Sequence, residues 1–274
     1  MDRADRTGKS ILKSGRWFVI LVVGLIILGW LLNTPPGLLG KADAIGYSVC
    51  HRIDGRSFHL GDRQLPLCVR CSGMFLGAVI GLLYQFARGS RRGGTPPKRV
   101  FIAMGVLVLT FAVDGLNSYL SLPFFSEIPT LYQPGSLTRL LTGSGMGLVI
   151  ALVLFPAFNQ TIWRNWDSKP AVPGLRSFLI LCSITILLDI VVLTEDPAVL
   201  YPLAIISTTG VLVLLSMVYA MLLVIVFRKE NSYQRPTELW LPLLAGFGVG
   251  MVQVVVISLI RYAVTGTWEG FYFG

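Results

Sequence analysis

The chain has 274 residues, of which 54% are hydrophobic and only 14% charged. Soluble domains carry about 25% charged residues, so this composition excludes a water-soluble fold and makes the bilayer the main solvent. The formal charge of +9 comes from basic residues between apolar runs, which is the pattern of a membrane topology signal and gives no case for nucleic-acid binding.

A basic tail, residues 1–16, precedes the first apolar run, Trp17–Leu32. Further runs follow at Ser72–Ala87, Val100–Leu116, Leu137–Phe158, Leu175–Leu193, Val199–Phe227 and Leu239–Val264. Each is near the roughly 20 residues that cross a bilayer core as a helix. Core helices of a soluble domain would not keep seven such centres almost free of charge. The expectation is an all-α, polytopic membrane bundle of about seven transmembrane helices, multi-pass in the cell membrane. A single transmembrane domain would span residues 17–264, with an extracytoplasmic Cys/His loop at 40–71 and a short tail at 265–274.

Lys and Arg set the orientation. With the N-terminus inside, the inner segments are the N-tail, Arg88–Arg99, Asn159–Arg176 and Arg228–Glu238. Sixteen of the 23 Lys and Arg fall there, which supports N-in and C-out. Five of the remaining seven sit in the first outer loop or at its edge: Lys41, Arg52, Arg56, Arg63 and Arg70. The first run and its basic flank resemble a signal peptide, with "ADA" at Ala42–Ala44 as a cleavage site. The run is long for such a segment and the site lies far beyond it, so an uncleaved helix is expected.

Gly73, Gly77 and Gly81 recur every four residues, giving one helix a smooth face for close packing. Gly143, Gly145 and Gly147, and Gly246, Gly248 and Gly250, loosen two other helices, and packing is the expected reading for them rather than a phosphate cradle. "RGSRRGGTPPKR" (Arg88–Arg99) reads as a flexible basic loop, since Gly and Pro deny it regular structure, and its charge suits anionic lipid. Four ionisable residues lie in or beside the spans: Asp114, Arg139, Asp189 and Arg261. Intramembrane charges face a partner or a wet cavity, and all four fall toward the outer side. An Asp–Arg pair that locks helices explains each alone. Their shared level with the Cys/His loop favours a site, which Gln253 could join.

That loop reads "SVCHRIDGRSFHLGDRQLPLCVRCSGMF". It holds three of the four cysteines and both histidines. Cys50, His51, Cys68 and Cys71 form a Cys-His-x16-Cys-x2-Cys pattern, and a Cys-x2-Cys pair with further soft ligands suits tetrahedral zinc. A Cys3His set would close the site, but Cys50 and His51 are adjacent and need a turn to share an ion. If His51 points away, three thiolates leave a position open. His59 is a substitute ligand or simply solvated. A redox reading also stands. Cys68 and Cys71 open a helix beside Arg70, which favours the thiolate, and a membrane oxidoreductase could pass electrons to a quinone. A plain stapling disulfide is the third alternative. Cys182 stands apart as a packing residue. Arg52, Arg56, Arg63 and Arg70 suit an anionic, lipid-related or small-molecule ligand through bidentate forks, or ordinary head-group anchoring.

"CHRIDGRSF" and "LPLCVRCSGMFLG" resemble the signature of the membrane family called domain of unknown function 2085. The matching positions are Cys50, His51, Arg56, Ser57, Phe58, Pro66, Leu67, Cys68, Arg70, Cys71 and Gly73, joined by Asp114-Gly115, Arg139 and Thr142-Gly143. The likeness spans roughly Gly46–Gly147. It implies that these residues form one site and implies no reaction. The expected function is a zinc-type site, Cys50, His51, Cys68 and Cys71, beside a pocket or anion site of Arg52, Arg56, Arg70, Asp114, Arg139 and Asp189. Thiol–disulfide oxidoreductase and transporter are the alternatives, and enzyme, scaffold and oligomeric state stay open.

Overall fold

The computed structural model describes residues 2–122 and 129–271, with side chains from Gly15 onward. Met1 of the expected N-terminal tail and residues 272–274 of the expected C-terminal tail lie outside the described residues. Among the described residues eight α-helices carry the fold: α1 (Asp2–Leu32), α2 (Gly37–Val49), α3 (Val69–Arg88), α4 (Lys98–Leu120), α5 (Ser136–Ile162), α6 (Leu175–Val192), α7 (Pro197–Val226) and α8 (Trp240–Thr265). All but α2 are long and apolar enough to cross a membrane, α1 over Gly15–Leu32. Their outer faces carry Trp17, Leu25, Ile102, Leu109, Leu187, Leu259 and Ile260, all exposed. So much exposed apolar surface is stable only against lipid. The protein is a multi-pass membrane protein.

α5 is the central helix, with Leu140, Leu148, Ala151 and Leu152 fully buried. It lies alongside α3 at a distance set by glycine. A Cβ on Gly73 would come 2.6 Å from the Leu140 carbonyl oxygen. One on Gly77 would strike the Ser144 carbonyl, and one on Gly147 that of Met74. Close backbone approach through small residues is how helices associate in lipid, where no hydrophobic force draws them together. Both helices begin at the same end of the bundle. Their first turns therefore lie side by side, with Gly143 against the Arg70 carbonyl. Gly246 plays the same part against α7, and Gly248 lets α8 meet Val23 of α1.

The opposite end corrects one expectation. Arg88–Arg99 is not without regular structure. Within it β3 (Arg92–Gly94) pairs in parallel with β4 (Asp167–Pro170). Gly94 is the reason: a side chain there would collide with the Ser168 carbonyl. Asn159 and Gln160 donate to the carbonyls of Arg92 and Gly93 at 2.9 and 2.5 Å. Trp163 bridges to Tyr233, so three connections are tied together there.

The connection between α1 and α3 is built as well. After α2 comes a 3-10 turn, Asp54–Arg56, and then a hairpin of β1 (His59–Leu60) and β2 (Arg63–Gln64). Gly61, at φ +61°, opens its two-residue turn. Phe58, Leu65 and Leu67 are buried and pin this segment to the bundle.

Candidate metal centre and arginine pocket

Cys50 caps the C-terminus of α2, its N–H donating to the Gly46 carbonyl at 2.9 Å. The segment before α3 crosses that turn so closely that a Cβ on Gly46 would collide with the Pro66 carbonyl. This crossing brings Cys68, the N-cap of α3, to Cys50. Cys71 follows three residues on, at the same helix start. The three sulfurs lie within 4.8 Å of one another. Sulfurs about 2.3 Å from a tetrahedral zinc stand about 3.8 Å apart, so the trio needs little contraction to share an ion. No disulfide joins them.

The backbone is arranged around the Cys50 sulfur. Arg52 has φ +53°, a conformation that side chains rarely adopt. The turn aims its N–H back at Cys50 Sγ, 3.4 Å away, and the N–H of Cys68 reaches the same sulfur at 3.3 Å. Hydrogen bonding with Cys68, aided by burial, pushes the Cys50 thiol up to about 12. Hydrogen bonds from Cys50 and Cys71 hold Cys68 well below the ordinary thiol range, with Arg70 assisting.

His51 leaves this group. Its ring is exposed and packs on Phe271, centroids 5.6 Å apart, and among the described residues only the three cysteines converge as metal-type ligands. The same turn that aims the Arg52 N–H at sulfur sends the neighbouring imidazole outward. The His51 carbonyl accepts from the Phe271 N–H at 2.9 Å and from Arg261 Nη2 at 3.1 Å. Arg261 Nη1 also donates to the carbonyls of Tyr47 and Cys50, at 2.6 and 2.5 Å. Its guanidinium lies over the Tyr47 and Phe271 rings. One arginine of α8 thus latches the Cys50 turn to the bundle. His59 lies elsewhere, bonded to Asp54 at 2.9 Å.

The arginines separate into two groups. Arg52 and Arg63 both meet Asp43 of α2, at 3.1 and 2.6 Å. Arg70 reaches the fully buried Asp114 of α4 and donates to Ser118 at 2.8 Å. Asp114 also accepts from Tyr132 Oη at 2.7 Å and Thr142 Oγ1 at 3.2 Å. Burial and this bond to Asp114 push the Tyr132 hydroxyl up to about 12. Among the described residues the Arg56 guanidinium has one hydrogen bond, to Ser121 at 3.4 Å, and burial with the nearby Arg70 charge lowers its pKa. Arg139 is 8% exposed, and its guanidinium has no hydrogen bond or ion pair among the described residues. Electrostatic interaction links Arg56, Arg70 and Arg139 to one another and to Cys68.

Asp189 stands apart. It is fully buried on α6 and accepts from Ser144 Oγ at 2.5 Å, while its other oxygen has no partner. Among the described residues no arginine bonds it. Gln253 bonds Tyr219 at 2.5 Å, between α7 and α8. Sequence reasoning did not find Tyr132 or Ser118, which carry no spacing signal, nor the Arg261 latch, whose partners are backbone carbonyls.

Residues 50–153 match the model of a family described as predicted membrane protein (DUF2085). The match begins at Cys50 and takes in all three clustered cysteines, Asp114 and Arg139. Two relatives are uncharacterized proteins. One, from Methanocaldococcus jannaschii, is 25% identical over 120 residues, 43% of this chain and 69% of that one. The other, from Methanothermobacter thermautotrophicus, is 28% identical over 104 residues, 37% of this chain and 82% of that one. No solved structure matches the chain.

Proposed function

We propose that Cys50, Cys68 and Cys71 hold a zinc-type ion as three thiolates, leaving a fourth position for an exogenous ligand. The carrying observation is the sulfur trio within 4.8 Å, with two backbone N–H groups aimed at Cys50 Sγ. Donors turned onto a sulfur suit a ligating thiolate, as outer hydrogen bonds orient metal ligands generally. Three protein ligands and an open position are the arrangement of catalytic rather than structural zinc. An ion held there would act as a Lewis acid or lower the pKa of a bound water. The chain's own residues fix the geometry: Arg261 holds the Cys50 turn, and the start of α3 presents Cys68 and Cys71. The Lys and Arg distribution supports an extracytoplasmic position for this centre, with the N-terminus inside.

Cobalt substitution tests the reading. Purified protein should take up about one Co2+ per chain and develop thiolate-to-cobalt charge-transfer absorption, which Cys68→Ser removes. A protein that binds no cobalt, or keeps these bands without Cys68, would overturn it. A thiol–disulfide function, with a quinone as electron acceptor, draws on a different feature: hydrogen bonds from Cys50 and Cys71 hold the Cys68 thiol well below its ordinary pKa, at a helix start beside Arg70. That function requires a Cys68–Cys71 disulfide in the isolated protein and no bound metal.

A further inference from the structure

We propose that Arg139, with Arg56 and Arg70, forms a site for a singly charged phosphate-type oxyanion next to the cysteine cluster. Arg139 opens the argument. It is more than nine-tenths buried, and its Nε has neither protein partner nor solvent. A guanidinium cannot shed its charge by deprotonation in a protein, so a buried one needs a counter-ion. The described residues supply none. Asp114 is occupied by Arg70, Tyr132 and Thr142. Asp189 bonds Ser144, and Asp43 serves Arg52 and Arg63.

A second orphan points to the same place. Arg70 spends Nη2 on Asp114 and Ser118, yet its own Nε is buried and unbonded. The Nε edge of Arg139 is free to grip two oxygens of a phosphate or carboxylate, while Arg70, whose Nη2 is taken, adds its Nε as a single donor. Two such donors lie on the adjoining first turns of α3 and α5, where Gly143 packs on the Arg70 carbonyl. The partial positive charge of both helix starts adds to the field.

Charge counting gives the class. Arg56, Arg70 and Arg139 carry +3 and Asp114 carries −1, leaving +2. Three thiolates around a divalent ion carry −1 together. The sum over these groups is positive, an excess that a bound anion offsets. A phosphodiester or a singly ionised phosphate is such an anion and matches the fork. The size of this excess rests on the metal reading. The unpartnered arginine does not.

The test uses full-length protein purified in non-ionic detergent with its metal. Its melting temperature is followed against inorganic phosphate and, separately, short-chain phosphatidylglycerol, phosphatidic acid and phosphatidylcholine. Expected is stabilisation by phosphate or by an anionic lipid but not by phosphatidylcholine. Arg139→Gln should weaken that response about tenfold or more, a loss of about 1.4 kcal/mol. Arg139→Lys should recover part of it, and Arg63→Gln should leave it intact. Response to inorganic phosphate identifies a soluble ligand, and response to lipid alone identifies a head group. No anion response, or an equal response in Arg139→Gln, overturns the proposal. Helical content by circular dichroism reports the folding of each variant, and Arg56→Gln serves if Arg139→Gln does not fold. Arg139-dependent binding in protein without metal would keep the oxyanion site and remove the metal reading.

Discussion

The backbone N–H of Cys68 donates to the sulfur of Cys50, 3.3 Å away and 18 residues earlier in the chain. This one bond joins the end of α2 to the start of α3. It makes the cluster a product of tertiary packing, because neither helix holds it alone. The Arg261 latch follows from the same logic: α8 grips the carbonyls of Cys50 and His51. Arg261→Ala should weaken zinc binding about 10- to 100-fold, the usual effect of losing an outer support, with the helical content unchanged. Competition against a chelator of known affinity measures it. Unchanged affinity would show that the turn holds without the latch.

The Asp114 and Arg70 pair makes a second prediction. Asp114→Asn leaves a guanidinium largely buried without its carboxylate. Breaking a buried pair costs about 3–5 kcal/mol, so detergent-solubilised protein should melt far earlier. Adding Arg70→Gln removes the stranded charge and should restore part of the loss. A double variant no better than the single one would argue against the pairing.

Tyr132 carries the pH prediction. Its hydroxyl is raised to about 12. A raised acid stabilises the fold fully below its ordinary pKa, and that contribution fades as pH rises through the raised value. The Tyr132→Phe variant should therefore lack a tyrosinate absorbance step near pH 12. The same variant should lose the part of alkaline unfolding that this step drives. A missing step near pH 10 instead would mean that Tyr132 titrates as if free of Asp114.

The α3–α5 seam can be tested by adding one methyl group. Gly147→Ala would drive a Cβ into the Met74 carbonyl, and overpacking of this kind costs about 1–3 kcal/mol. Gly105→Ala on α4 meets nothing within 4 Å, so it should be neutral or stabilise by up to about 1 kcal/mol. Comparable melting of the two variants would contradict the packing.

Much of this architecture was legible in the sequence because lipid imposes one simple requirement, a long apolar run. The run Leu175–Leu193 and helix α6 (Leu175–Val192) differ by a single residue. The glycine spacing showed the smooth face of α3, and the Cys-x2-Cys spacing showed two of the three sulfurs that meet. The rest depends on contacts between distant segments. α2 was invisible because Gly40 and Gly46 weaken its pattern. Both are needed where the chain crosses itself, at Pro35 and Pro66. Adjacency gave Cys50 and His51 equal standing, and only tertiary packing separates them: the sulfur meets Cys68 and Cys71, and the imidazole meets Phe271. The arginines looked alike in sequence. Asp43 and Asp114 distinguish them in space, and the Arg139 guanidinium is left without a partner among the described residues.

The most direct test is metal content and free-thiol count on one purified, detergent-solubilised sample of the full chain. The account predicts about one zinc per chain, with Cys50, Cys68 and Cys71 protected from alkylation until a chelator removes it. A metal-free protein with a Cys68–Cys71 disulfide would contradict it and assign the cluster to thiol chemistry.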